Sequence, residues 1–307
     1  MIIPLFNGER TISDTLTSVR RQTYRELDIV VVDDGSTDRS VEAVAEHMRD
    51  DRRVRLIRQA NAGVAAARNA GAVATDTAYL AFVDADDLWA PQKIELQMEA
   101  LASESEEVGL VYCWHVQVDE AGRAHVPGEQ RKVEGDALRA MCRRNWVGNG
   151  SSILIRRTAF EAAGGYDVSL HGRGAQGCED LLICLRIAER FEFRVVPRYL
   201  VGYRQLPDSM SSDFAQMARS CEIVLEEYQT RYPQYDTELN AHRYEALLWF
   251  ATRAASAGRT GAAVSLMSRL LEISPLLALK ATRHLLRAYA RRPAKLDRRP
   301  LYLEQSW

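Results

Sequence analysis

Within the first ninety residues, short β-branched apolar runs alternate with segments of helical period. Residues 27–32 (Leu-Asp-Ile-Val-Val-Val) form the clearest run; 54–57 and 79–83 read the same way, and Ile2-Ile3 ends a fourth. Runs of this kind make strands buried on both faces. Between them, Ile12, Leu16 and Val19 recur at helical spacing, with Thr11 or Ser13 available as cap. Val41, Val44, Ala45 and Met48 repeat that spacing, and 64–74 is alanine-rich. Strand–helix alternation with short links predicts an α/β chain with parallel strands and right-handed crossovers.

The middle is less regular. Residues 108–118 predict a long strand, and 152–155 and 193–196 shorter ones. A glycine-rich loop, 171–177, precedes a predicted helix over 179–190. After about residue 209 strands give way to helical patterns at 210–231, 238–257, 260–273 and 276–292. Residues 254–275 read as a single helix-turn-helix unit of the tetratricopeptide kind, which cannot bury its own face and must pack on neighbours.

Composition narrows the class. With 40 basic and 42 acidic residues the net charge is −2, which disfavours a nucleic-acid binder. Hydrophobic residues at 47% and charged residues at 27% fit a globular chain. Five cysteines with no C-x-x-C pair argue against a disulfide framework or a zinc knuckle and fit a reducing compartment. There is no apolar run of membrane-spanning length, and the opening residues lack the cationic lead of a signal peptide.

Polar clusters follow the predicted strands: Pro4 to Asn7 after the first, Asp33 to Asp38 after the second, Asp84, Asp86 and Asp87 after the run ending at Val83. Ligands of open parallel sheets bind beyond the carboxyl ends of strands. The first acidic cluster also suits a turn with an N-cap, and the second suits the start of a helix at Pro91. Three carboxylates in four residues nevertheless repel one another, and a divalent cation with oxygen ligands, Mg²⁺ or Mn²⁺, relieves this.

In this order the clusters resemble glycosyltransferase family 2. The resemblance is carried by Ile2-Ile-Pro-Leu-Phe-Asn7, Val31-Val-Asp-Asp-Gly-Ser-Thr-Asp38, Gly63-Val-Ala-Ala-Ala-Arg-Asn-Ala-Gly71, Val83-Asp-Ala-Asp-Asp-Leu-Trp89, Phe160-Glu-Ala-Ala-Gly-Gly-Tyr-Asp167 and Cys178-Glu-Asp-Leu-Leu-Ile-Cys-Leu-Arg186, and covers roughly residues 1–205. It implies a GT-A fold: a Rossmann-like, mostly parallel sheet flanked by helices over 1–208, with a helical C-terminal extension over 209–307. It implies an inverting, metal-dependent hexosyltransferase that takes a nucleotide-sugar, in our reading a UDP-sugar, to a saccharide or lipid-linked acceptor in polysaccharide or glycolipid synthesis.

The same resemblance assigns roles. Asp33 should accept from the ring N–H of a uracil-like base, with Pro4, Asn7 and Glu9 beside it. Arg68 should oppose the diphosphate. Asp84 should lie near the ribose and the metal, Asp86 should bind the metal, and Asp87 should assist. Asp180 should be the general base, with Glu179 orienting it or contacting acceptor. One departure concerns the late R-x-H-x-x-S-x-S element: Arg204, Ser209 and Ser211 are present, but Leu206 stands at the histidine position. A second is the abrupt start, since family members usually carry several residues before the Ile-Ile-Pro strand. A nucleotide-sugar binder without transfer activity, its helical tail recruiting partners, is the alternative expectation.

Trp114 and Trp146 are nominees for stacking on a sugar, or core residues; Asn149 to Ser152 is a donor-sugar contact or a turn. The cysteines are expected in the core. Residues 280–299 hold eight Lys and Arg against Asp297. A basic amphipathic helix there would allow peripheral contact with an anionic membrane, placing the protein in the cytoplasm or at the inner membrane face.

Overall fold

A computed structural model describes residues 1–102, 105–206 and 209–273. In chain order, β1 (Ile2–Leu5) leads to α1 (Ile12–Arg20), β2 (Ile29–Asp33), α2 (Ser40–Asp50), β3 (Val54–Arg58), α3 (Val64–Val73) and β4 (Tyr79–Ala81). Then come β5 (Leu88–Trp89), α4 (Lys93–Ala102), β6 (Val108–Val118), β7 (Ala124–Pro127), α5 (Leu138–Arg143), β8 (Ile153–Arg156), α6 (Arg157–Ala162), α7 (Ser169–Gly172), α8 (Glu179–Ala188) and β9 (Glu192–Arg204). Three long helices follow: α9 (Phe214–Arg231), α10 (Asp236–Ser256) and α11 (Thr260–Ile273).

The strand–helix alternation resolves as read. β1 pairs with β2 and β2 with β3, all parallel. A parallel bridge between Ile2 and Phe82 carries the order on to β4. The carboxyl ends of β1, β2 and β4 therefore open on the same side. Every residue of β2 is buried, which is what its β-branched run requires. Thr11 does stand before α1, but its hydroxyl donates to the Gly8 carbonyl at 3.4 Å and does not cap the helix.

The second half of the sheet differs from a purely parallel pattern. Its order is β4-β8-β6-β9-β5, with β7 on β6. The β4–β8, β6–β8 and β5–β9 pairs are antiparallel, and β6–β9 is parallel. β9 runs well past the apolar 193–196 core because the ladder with β6 resumes after register shifts at Cys113, Trp114 and His115.

Close helix–sheet contact fixes the site. A Cβ at Gly71 of α3 would lie 2.4 Å from Ile2 Cγ2 and 3.1 Å from Val32 Cγ2, so glycine lets α3 seat directly on β1 and β2. One turn earlier, Arg68 is thereby held at the strand ends.

The core lies on both faces of the sheet. One layer joins Ile3, Val31, Leu16 and Trp89; the other joins Val32, Phe82, Leu182 and Tyr166 and runs without a break into Leu225, Leu247 and Leu266 of the last helices. α10 and α11 are linked through residues 257–259 and pack on neighbours, but α10 begins at Asp236, so the span 254–275 read as a helix-turn-helix unit takes in only the last turn of α10 before α11. All five cysteines are free and buried. No helix among the described residues is long and apolar enough to cross a membrane. The helix expected over 276–292 and the basic stretch 280–299 lie outside the described residues.

Candidate active site

Two loops meet beyond β1 and β2. Asn7 adopts a left-handed backbone, φ 50°, rare outside glycine and tolerated best by Asn. There its N–H donates to Ser36 Oγ at 2.9 Å, while its Oδ1 accepts from the Thr37 N–H at 2.8 Å. Glu9 Oε2 accepts from the Arg39 N–H at 3.0 Å, and the Glu9 N–H donates to Asp38 Oδ2 at 3.0 Å. Pro4 is buried in β1 opposite Val32.

Asp33 is fully buried at the end of β2. Its Oδ1 accepts from the Ser36 N–H at 3.0 Å and its Oδ2 from Arg58 Nε at 3.0 Å. Arg58 is the Asp33 partner in the β2–β3 register and is itself well exposed, so it covers the carboxylate from outside. Asp34 has a different task. It accepts from Gln59 Nε2 at 2.7 Å and from the Ala62 and Gly63 N–H groups at 2.9 Å, tying the start of α3 to the end of β2.

Arg68 joins the sequence-distant carboxylates. It is 3% exposed. Its Nη2 donates to Asp84 Oδ1 at 2.6 Å and its Nη1 to Asp180 Oδ1 at 2.9 Å. The guanidinium lies over the Tyr166 ring, 4.9 Å from the centroid. Burial works against its charge, but Asp180 and Asp84 outweigh it and hold the group more firmly protonated than usual.

Asp180 sits in the first turn of α8. Burial pushes its carboxyl up to about 6, against the pull of Arg68; Asp84 and Glu179 add to the rise, and the Gly150 N–H opposes it. A Cβ on Gly150 would stand 2.6 Å from Asp180 Oδ1, so only glycine allows that approach. Glu179 is buried and turned away: its Oε2 accepts from the Gly177 N–H at 2.8 Å.

The three acids after β4 separate by environment. Asp84 faces Arg68. Asp87 is fully buried, accepting from Ser151 Oγ at 2.5 Å and from the Arg204 N–H at 3.0 Å. Burial, then Asp86 and Asp84, push its carboxyl well above the usual range. Asp86 is raised to about 7 by burial and by Asp84, with Arg204 opposing.

Arg204 is buried at the end of β9. Its Nε donates to the Asp86 carbonyl at 2.8 Å, its Nη2 to Asp14 Oδ2 at 3.1 Å and its Nη1 to the Glu120 carbonyl. It thus braces the 84–87 loop. No group of three or more His, Cys, Asp or Glu side chains among the described residues is placed to hold a metal by itself. Asp84 and Asp86 nonetheless suit Mg²⁺ or Mn²⁺, which bind through one or two carboxylates plus substrate phosphates, and burial together with the neighbouring Asp84 charge raises Asp86, a cost that a cation there would offset.

The fold therefore gathers Asp84, Asp86, Arg68 and Asp180 at one place, with Asp33, Asn7 and Glu9 along the same strand ends. The 149–152 segment, read as a donor-sugar contact or a turn, supplies Ser151 as a support for the acids, and Tyr166, read within the 160–167 motif without a role of its own, supports Arg68; Ser151 Oγ also accepts from the Asp84 N–H at 3.1 Å. Trp146 is buried against Tyr112, and Trp114 donates from Nε1 to the Arg131 carbonyl at 3.0 Å.

The sequence profile described as Glycosyl transferase family 2 matches residues 1–164. EpsJ of Bacillus subtilis, an uncharacterized glycosyltransferase, is 29% identical over 219 residues, covering 69% of this chain and 62% of its own. GlyA of Streptococcus pneumoniae, a glycosyltransferase, is 45% identical over 92 residues, covering 30% of this chain and 13% of its own. The chain thus spans less than two thirds of either relative. Among solved structures, S. aureus TarS 1–349 in complex with UDP superposes with TM-score 0.61 at 16% identity, covering 94% of this chain and 88% of that one. The Pyrobaculum calidifontis mannosyltransferase PcManGT in complex with GDP-Man and Mn²⁺ gives TM-score 0.61 at 19% identity, covering 95% and 85%. These likenesses show the GT-A fold.

Proposed function

The chain belongs to glycosyltransferase family 2, and from that premise we infer that it is an inverting enzyme using a nucleotide-sugar, most simply a UDP-sugar. The acceptor in this reading is a hydroxyl of a saccharide or a lipid-linked saccharide, in polysaccharide or glycolipid synthesis. The observation that carries the reading is the single buried guanidinium of Arg68 shared by Asp84 and Asp180. It puts the carboxylate that follows β4 and the one that opens α8 within one arginine's reach.

Asp180 takes the proton from the acceptor hydroxyl as that oxygen bonds to the anomeric carbon. The bond from that carbon to the diphosphate breaks, and the electron pair leaves with the nucleoside diphosphate. A carboxyl near 6 is ionised at neutral pH yet basic enough to hold the proton in transit. Gly150 and Arg68 aim it. Arg68 also adds positive charge near the departing phosphates.

Asp33, with Pro4, Asn7 and Glu9, would form the base pocket, reached when Arg58 swings off Asp33. Asp86 and Asp84 would hold a Mg²⁺ or Mn²⁺ ion, which would neutralise charge on the leaving diphosphate. Support for the donor class comes from TarS in complex with UDP and with UDP-GlcNAc and from PcManGT in complex with GDP-Man and Mn²⁺. The proposed division is a transferase unit over 1–208 and a helical extension over 209–307. Peripheral membrane contact through 280–299 rests on its charge alone; salt-sensitive pelleting with anionic vesicles is the expected result.

The test is a thermal-shift screen of UDP- and GDP-sugars with and without Mn²⁺, followed by turnover of the hits. Binding to the folded state raises the melting point. Full activity in both Asp86→Ala and Asp180→Asn would overturn the assignment.

A further inference from the structure

Lys93 opens α4 and is fully buried. Two effects oppose an ammonium there: burial strips its hydration, and a helix N-terminus carries partial positive charge. No carboxylate pairs with it among the described residues. It meets the face of Trp89, with Nζ 3.9 Å from the ring centroid, and it donates to Gln97 Oε1 at 2.7 Å. Burial lowers its pKa to about 8, and the Cys113 thiol of β6 is the titratable neighbour that opposes the fall. A methionine would fill the same space without either cost.

Both partners of Lys93 hold one turn, residues 149–152. An ammonium only donates, so Gln97 presents its oxygen to Lys93 and keeps its amide hydrogens for backbone carbonyls. Its Nε2 donates to the Ser152 carbonyl at 2.9 Å and to the Val111 carbonyl at 3.1 Å. Trp89, its ring against the ammonium, donates from Nε1 to the Ser151 carbonyl at 3.0 Å. The same turn touches the acids of the site. The Gly150 N–H bonds to Asp180, while Ser151 Oγ donates to Asp87 Oδ2 and accepts from the Asp84 N–H. Every link from the ammonium to Asp180, Asp84 and Asp87 is therefore a direct contact or a peptide bond.

We propose that Lys93 is a positioning residue for sugar transfer: its charge orients Gln97 and Trp89, which fix the 149–152 turn and through it the alignment of Asp180, Asp84 and Asp87. The proposal rests on the transferase reading and extends it to a cation that touches no substrate. With the charge gone, Gln97 Oε1 and the Trp89 face lose the partner that holds them, and the turn gains room to shift. A displacement of about 1 Å at a reacting group costs about 10²-fold in rate.

The test compares the full-length wild type with Lys93→Met. Affinity for UDP- and GDP-sugars is measured by calorimetry, turnover as nucleoside diphosphate released, and amide hydrogen exchange over residues 149–152 by mass spectrometry. Lys93→Met should melt no lower than the wild type, since a buried charge is removed. Its nucleotide-sugar affinity should stay within about twofold, its 149–152 exchange should quicken, and its kcat should fall about tenfold or more. In the wild type kcat should drop as pH rises through about 8, where Lys93 loses its proton, and Lys93→Met should lack that alkaline limb. A folded Lys93→Met with wild-type exchange and kcat, or with the wild-type alkaline limb still in place, overturns the proposal alone. If Lys93→Met does not fold, the wild type decides: exchange over 149–152, corrected for its intrinsic pH dependence, must quicken above about pH 8, and a flat profile overturns the proposal. A wild type that binds or turns over no nucleotide-sugar overturns the transferase reading and this inference with it.

Discussion

Arg68 Nη1 donates to Asp180 Oδ1 at 2.9 Å across 112 residues of chain. An amide at position 180 keeps an oxygen for that hydrogen bond but cannot take a proton. Asp180→Asn should therefore lower turnover by about 10²–10⁴-fold, the usual worth of a general base. Nucleotide-sugar affinity, measured by calorimetry, should stay unchanged.

The same pair governs the acid limb of the rate profile. In the wild type kcat/KM should fall as pH drops through about 6, where Asp180 becomes protonated. Arg68 pulls that carboxyl down, so removing its charge lets burial raise it further. In Arg68→Gln the limb should move to higher pH by about one unit or more. An unmoved limb would show that Asp180 does not titrate in the rate-limiting step.

Gly150→Ala tests the contact from the other side. The new methyl would meet the end of a side chain, 2.6 Å from Asp180 Oδ1, so the carboxylate must shift. The expected result is an intact fold by circular dichroism with turnover reduced about 10²-fold, the penalty for misplacing a reacting group by roughly 1 Å.

Asp86 and Asp87 should part company under mutation. Asp86→Ala should remove any Mn²⁺ enhancement of nucleotide-sugar binding, read by thermal shift, without loss of stability. Asp87→Leu should be destabilised by about 1–3 kcal/mol in urea, because the Ser151 hydroxyl and the Arg204 N–H lose their acceptor.

His242 gives a pH dependence of stability away from the site. It is buried on α10, and its Nδ1 contacts the Cys142 carbonyl at 3.2 Å. Burial, offset in part by that carbonyl, lowers its pKa from 6.5 to about 4. The unfolded chain therefore binds a proton below about 6.5 that the folded chain refuses until about 4, and stability falls as pH drops through that window. The stability advantage of wild type over His242→Gln should shrink by about 2–3 kcal/mol between pH 7 and pH 4.5.

What the sequence revealed was what local pattern encodes. The β-branched run ending at Val32, the acids after β4 and the Glu179-Asp180 pair each carry their signal within a few residues. Their convergence is a property of parallel strands, whose carboxyl ends must share a side. The supports were hidden because their partners are remote. Ser151 lies in an ordinary turn sequence and acquires its role only through Asp84 and Asp87. Tyr166 reads as a core aromatic until Arg68 is placed over it. The antiparallel pairs β4–β8, β6–β8 and β5–β9 were not legible because period marks a strand but not its partner, and α4, α5 and α6–α8 stand between these strands much as helices do in a parallel sheet.

The core that runs unbroken from the sheet into α9–α11 constrains how this protein can be remodelled. The Cys178 N–H donates to Ser220 Oγ at 3.1 Å, and Tyr228 donates to Glu189 Oε1 at 2.5 Å, so the helix bearing Asp180 is gripped at both ends by the appended helix α9. Recombination that exchanged the whole appendage would therefore disturb the catalytic helix along with it. Diversification is freest on the outward side of α10, where residues can be traded one at a time while the inward side holds its place.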